Sequence, residues 1–99
     1  MPAMYFEVRW PDQHTMRCYS PSSVIQQHLR PHTTYALPDF LAHVRAALHE
    51  ASERVRAKYG FACSQAMDQL ALIEAVATGF TADAHAEVTV LHVGLPAQD

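Results

Sequence analysis

The sequence is poor in glycine, cysteine and late positive charge, and each shortage closes a class of function. Three glycines in 99 residues leave no Gly-rich loop to cradle a phosphate. The two cysteines, Cys18 and Cys63, form no CxxC pair, and there is no HExxH, so the common zinc and redox motifs are missing. No Lys or Arg follows Lys58. Beyond it stand only the acids Asp68, Glu74, Asp83, Glu87 and Asp99. With a formal net charge of -3, nucleic acid is not expected as a partner. No uncharged apolar run reaches the roughly 18 residues that a membrane helix needs. Residues 69–73 and 75–82 are apolar-rich, but Glu74 interrupts them. The opening "MPAMYFEVRW" has no basic segment followed by an apolar one, so no signal peptide is expected. Two cysteines without a signal point to free thiols in a reducing, cytoplasmic setting.

What is present is apolar. The chain is 49% hydrophobic and 17% charged, more apolar than an ordinary soluble domain. Its length fits one domain over 1–99, with 93–99 as a frayed tail. A domain this size buries roughly 60–65% of its unfolded surface. The apolar excess therefore suggests burial between subunits, most simply in a homodimer.

The order of elements can be read from periodicity. In "MYFEVRW", Met4, Phe6, Val8 and Trp10 alternate with Tyr5, Glu7 and Arg9, the mark of a half-buried strand. "TMRCYS" alternates in the same way, and "PDQH" between them reads as a turn. Like faces must align, so paired residue numbers must sum to an even value. A sum of 24 sets Phe6 against Cys18, Glu7 against Arg17 and Tyr5 against Tyr19. A sum of 26 sets Arg9 against Arg17. Opposite charges and facing aromatics favour the first. It requires a type I turn with a bulge and puts Gln13 in the left-handed region.

Ser20-Pro21 reads as the N-cap and first position of a short helix that Pro31 ends. "PDFLAHVRAALHEASERVRAKYG" reads as a long helix with the stripe Phe40, Val44, Ala47, Leu48, Ala51 and Val55, and Gly60 as its stop. "QAMDQLALIEAVATGF", capped by Ser64, reads as a third helix. It is apolar nearly all round: Leu70, Ile73 and Ala77 lie on one side, Leu72 and Val76 on the other. Residues 81–86 read as a loop, and "EVTVLHV" as a final strand apolar on both faces. The expectation is a two-layer α+β domain, order ββ-α-α-α-β, with helices on one face of a small antiparallel or mixed sheet.

Chemistry is sparse. Cys18 and Cys63 are the weak catalytic candidates, each just before an expected helix start that would favour a thiolate. Cys18 also falls on the core face opposite Phe6, where it would be a small hydrophobe. No base stands beside either thiol by local spacing. The seven histidines make no helical pair: Pro31 falls between His28 and His32, and His43 and His49 are six apart. They read as solvated, with His92 the one expected to be buried. No metal site and no cofactor is expected. Tyr5, Arg9, Arg17 and Tyr19 would share the hairpin's outer face, where tyrosine and arginine suit a docking surface.

The strings "RWPD", "CYSPS" and "ASERVRAKYGFACSQAMDQL" resemble a family of small proteins named for a nitrogen starvation response. The resemblance covers roughly residues 4–74. It differs from this chain at two places: members tend to have Gly where this chain has Gln13, and a basic residue where it has Gln65. The resemblance implies a bacterial, cytoplasmic accessory protein encoded in a nitrilase gene cluster, with proteins of that cluster as possible partners. It implies no reaction. The reading is a non-enzymatic interaction protein. The alternative is a small-molecule-binding protein or enzyme that uses the thiol of Cys18 or Cys63.

Overall fold

The computed structural model describes residues 3–61 and 64–94. Strands β1 (Met4–Arg9) and β2 (Thr15–Ser20) form the hairpin. Helix α1 (Ile25–His28), strand β3 (Thr33–Ala36), helices α2 (Leu37–Tyr59) and α3 (Ser64–Thr78), and strand β4 (Glu87–Gly94) follow. The four strands make one antiparallel sheet in the order β2-β1-β4-β3. The α+β architecture is as expected, and β3 is an addition to it. This strand is four residues long, only half-buried at Thr33 and Tyr35, and runs into α2 without a loop.

The hairpin has the register in which paired numbers sum to 24: Tyr5 faces Tyr19, Phe6 faces Cys18 and Glu7 faces Arg17. The turn closes through the Gln13 N–H donating to the Trp10 carbonyl (2.8 Å) and the Trp10 N–H donating to the His14 carbonyl (2.9 Å). Gln13 has φ 74°, the left-handed conformation that the bulged turn demands.

Met4, Phe6, Val8, Trp10 and Cys18 are buried in one cluster with residues from all three helices and β4. Trp10 stacks on Phe80 (6.1 Å between ring centroids) and meets Phe40 edge-on (5.7 Å). Helix α2 has Pro38 in its first turn and stops where Gly60 adopts φ 86°. The stripe from Phe40 to Ala51 is buried and Val55 is half-buried.

Three expectations are corrected. Ser20 is the last residue of β2 and does not cap α1; Val24 stands at that helix's N-cap. The Ser20 hydroxyl donates to the Ser22 carbonyl (2.7 Å) and accepts from the Ser22 N–H (3.4 Å). These local bonds satisfy a buried hydroxyl and hold a turn where a helix was expected. His92 is exposed. The register of β4 on β1 slips there: Val8 faces Val90, but Glu7 faces His92, leaving Leu91 as an extra residue. The bulge turns His92 outward and Val93 inward against Phe6, which explains why this strand is apolar on both faces. Gly94 pairs with Tyr5, so residues 93 and 94 belong to β4. The rest of the expected tail lies outside the described residues.

Candidate functional site

The helices cover the sheet face that carries Phe6 and Val8. The opposite face presents the odd-numbered residues of the hairpin. Trp10 and His14 are a hydrogen-bonded pair, so Tyr5 and Tyr19 are a non-hydrogen-bonded pair, whose side chains approach more closely. Their rings meet edge to face at 5.8 Å. The Arg17 guanidinium lies 4.2 Å from the centre of the Tyr5 ring, although Glu7 is its cross-strand partner. The ring's negative face thus holds the cation.

The same phase points the backbone of Thr15, Arg17 and Tyr19 away from β1, toward the free edge of β2. Helix α3 runs beside this edge. The Tyr19 N–H donates to Gln69 Oε1 at 2.9 Å. Gln69 thereby takes the place that a carbonyl of a further strand would occupy. Its Nε2 is buried and has no partner among the described residues, an arrangement that costs about 1–3 kcal/mol.

This bond sets α3 along the hairpin and forms a shallow groove of about 400 Å³ lined by Tyr5, Tyr19, Gln65, Asp68, Gln69 and Leu72. Leu72 is 56% exposed, one of three large hydrophobic side chains exposed among the described residues; the others are Tyr59 and Phe61, at the α2–α3 corner. Arg17 and Asp68 stand at this seam with opposite charge. Neither makes an ion pair among the described residues.

Of the four expected docking residues, Tyr5, Arg17 and Tyr19 come together. Arg9 lies at the other end of the same face, beside the hairpin turn. Sequence reasoning missed Asp68, Gln69 and Leu72 as site residues. Gln69 bonds a residue 50 positions away, and no local spacing announces that. The apolar second side of α3 was the available signal, and Leu72 belongs to it.

Cys18 is 1% exposed and faces Phe6. Burial pushes its thiol up from 9.0 to about 12. It lies in β2 and not at a helix start, so nothing stabilises a thiolate there. Cys63 lies outside the described residues. Among the described residues no three His, Cys, Asp or Glu side chains gather where they could hold a metal ion, and no helix is long and apolar enough to cross a membrane. Among the described residues, His28 is the histidine whose ring bonds a carboxylate on another element. It sits 2.9 Å from Glu50, which also binds Arg54 at 3.2 Å, and the two hold the Glu50 carboxyl below its ordinary range.

A model of the family described as nitrogen starvation-induced protein NitG matches residues 5–93. No curated protein and no solved structure gives a match.

Proposed function

Because the chain belongs to the NitG family of nitrogen starvation-induced proteins, we propose that it is an accessory protein that acts by docking and not by catalysis. One observation carries this reading. The hairpin's outer face and the second apolar side of α3, two separate features of the sequence, line a single groove that gathers Tyr5, Tyr19, Asp68 and Leu72, with Arg17 packed on the Tyr5 ring. Aromatic and arginine side chains around an apolar centre are the usual anchors of a protein interface.

The proposed occupant is a second copy of this chain. Arg17 and Asp68 carry opposite charges on one patch, and a two-fold axis through the groove sets each against its opposite in the partner copy. The apolar excess of the sequence and the exposed Leu72 are then buried together. The finer setting in this reading is the cytoplasm and a nitrilase-cluster pathway, as the family resemblance implies.

Sedimentation analysis tests this at high micromolar concentration. The expected result is a dimer that Arg17→Asp and Asp68→Arg each dissociate and that the double exchange restores, with circular dichroism unchanged. A strict monomer overturns the homodimer. A monomer that binds a purified product of a neighbouring gene, and loses it on Arg17→Asp, replaces the second copy by that protein as the occupant. The thiol alternative draws no support from Cys18, which is buried and unactivated.

A further inference from the structure

At the far end of the outer sheet face lies a second hollow, of about 290 Å³, between the hairpin turn and the loop before β4. Its lining is polar and of both signs. Arg9, Asp83 and Glu87 line it together with Thr34 and Thr89. The register explains the spacing. Arg9 faces Thr89 across the β1–β4 pair, and Glu87 is the diagonal neighbour two residues along. Such diagonal neighbours are about 7–8 Å apart, and somewhat less between their Cβ atoms.

Arg9 and Glu87 are within reach of each other, yet neither makes an ion pair among the described residues. Both remain exposed and charged, facing one hollow. The surrounding groups are fixed. One Asp83 carboxylate oxygen accepts the His85 N–H at 2.9 Å, while the Asp83 carbonyl accepts the Ala86 N–H at 3.1 Å. Ala86 in turn accepts the Leu37 N–H at 3.0 Å, tying the loop to the start of α2. Asp83's second oxygen has no bond among the described residues, and the residue lines the hollow. On the sheet, the Thr34 and Thr89 hydroxyls bond each other at 2.9 Å. A hydroxyl pair uses one of its two hydrogens, so one O–H remains to donate. Trp10 also borders the hollow, and its indole Nε1 is a buried donor without a partner among the described residues.

A lone anion would meet Asp83 and Glu87, and a lone cation would meet Arg9. We infer that this hollow binds a small zwitterion of the α-amino acid class, its carboxylate held by Arg9 and its ammonium by Glu87 and Asp83. A guanidinium pairs bidentately with a carboxylate, and each charge-assisted bond is stronger than a neutral one. A ligand with both groups on one carbon engages both walls at once and leaves neither charge facing its like. The site is separate from the tyrosine groove, so it stands or falls without the dimer.

Glycine is the minimal probe, since it carries both charges and no side chain. The measurement is an amide NMR titration of the full chain at millimolar ligand, with acetate and methylammonium as single-charge controls. The expected result is saturable shifts at Thr34, Ala86 and Thr89 with glycine. Each control should bind at least about tenfold more weakly, as loss of one charged hydrogen-bonding group implies. Arg9→Gln and Glu87→Gln should each abolish saturation, while the remaining spectrum shows that these exposed positions leave the fold intact. No saturable shift with glycine overturns the inference. So does acetate or methylammonium matching glycine, which would make this an anion or cation site, and so does saturation that survives both substitutions.

Discussion

Tyr5 and Phe6 are neighbours on β1, yet their surroundings differ in kind. Phe6 is fully buried, opposite Cys18 on one side and Val93 on the other, inside a cluster that draws on every helix. Tyr5 is half-buried and meets a tyrosine edge and an arginine. Contacts on the inner face exclude water and are shared among many partners, so losing one side chain leaves a cavity. Contacts on the outer face are pairwise and partly wet, so losing one is cheap for folding and expensive only for whatever docks there. The strand thus separates stability from recognition at intervals of one residue.

The largest effect should come from the inner face. Phe6→Ala is expected to cost about 3–5 kcal/mol, read from urea unfolding, which for a domain this size is a large share of the total. A loss near that of an outer-face change would break the comparison.

Cys18 sharpens it through pH. Its thiol is neutral in the fold and raised to about 12, against 9.0 ordinarily. Above pH 9 the unfolded chain releases this proton and the folded chain keeps it. The stability that this thiol contributes is therefore intact below pH 9 and lost as pH rises toward 12. Cys18→Ala removes that loss. Its deficit relative to the parent at pH 8 should narrow by about 1.4 kcal/mol at pH 10, measured by denaturant titration at both values. A constant deficit would mean that the thiol is not held in its neutral form.

At the turn joining the two strands, Gln13→Gly should stabilise by about 0.5–1 kcal/mol, because glycine adopts the left-handed conformation without the Cβ penalty. Thermal melting reads this directly. The smallest change in folding belongs to the outer face. Leu72→Ser should stay within about 0.5 kcal/mol of the parent while abolishing self-association in sedimentation. A change that moved both quantities together would show that the groove is part of the core.

How far the sequence reveals this can be followed residue by residue. The alternation in β1 and β2 and the charge pairing of Glu7 with Arg17 were enough for the hairpin register, because both are local. The stripe on α2 and the stop at Gly60 were equally plain. Strand β3 was hidden: Thr33–Ala36 brings only the half-buried Tyr35 against the core, and no turn separates it from α2. Ser20-Pro21 misled because the same residue types cap helices and close turns. The bulge at Leu91 depends on how β4 meets β1, which no window of sequence contains. For the same reason the tyrosine pair could be foreseen, but the groove it shares with α3 could not.

The Gln69 amide has a consequence for growth of the sheet. Because a side-chain carbonyl already occupies the Tyr19 N–H, and the charge of Arg17 stands in the middle of the same edge, β2 is a poor template for another β-strand. Copies that meet through the groove close on each other as a finite pair. Copies that stacked edge on edge would propagate without limit. Replacing one glutamine would thus test whether crowding this chain yields particles or fibres.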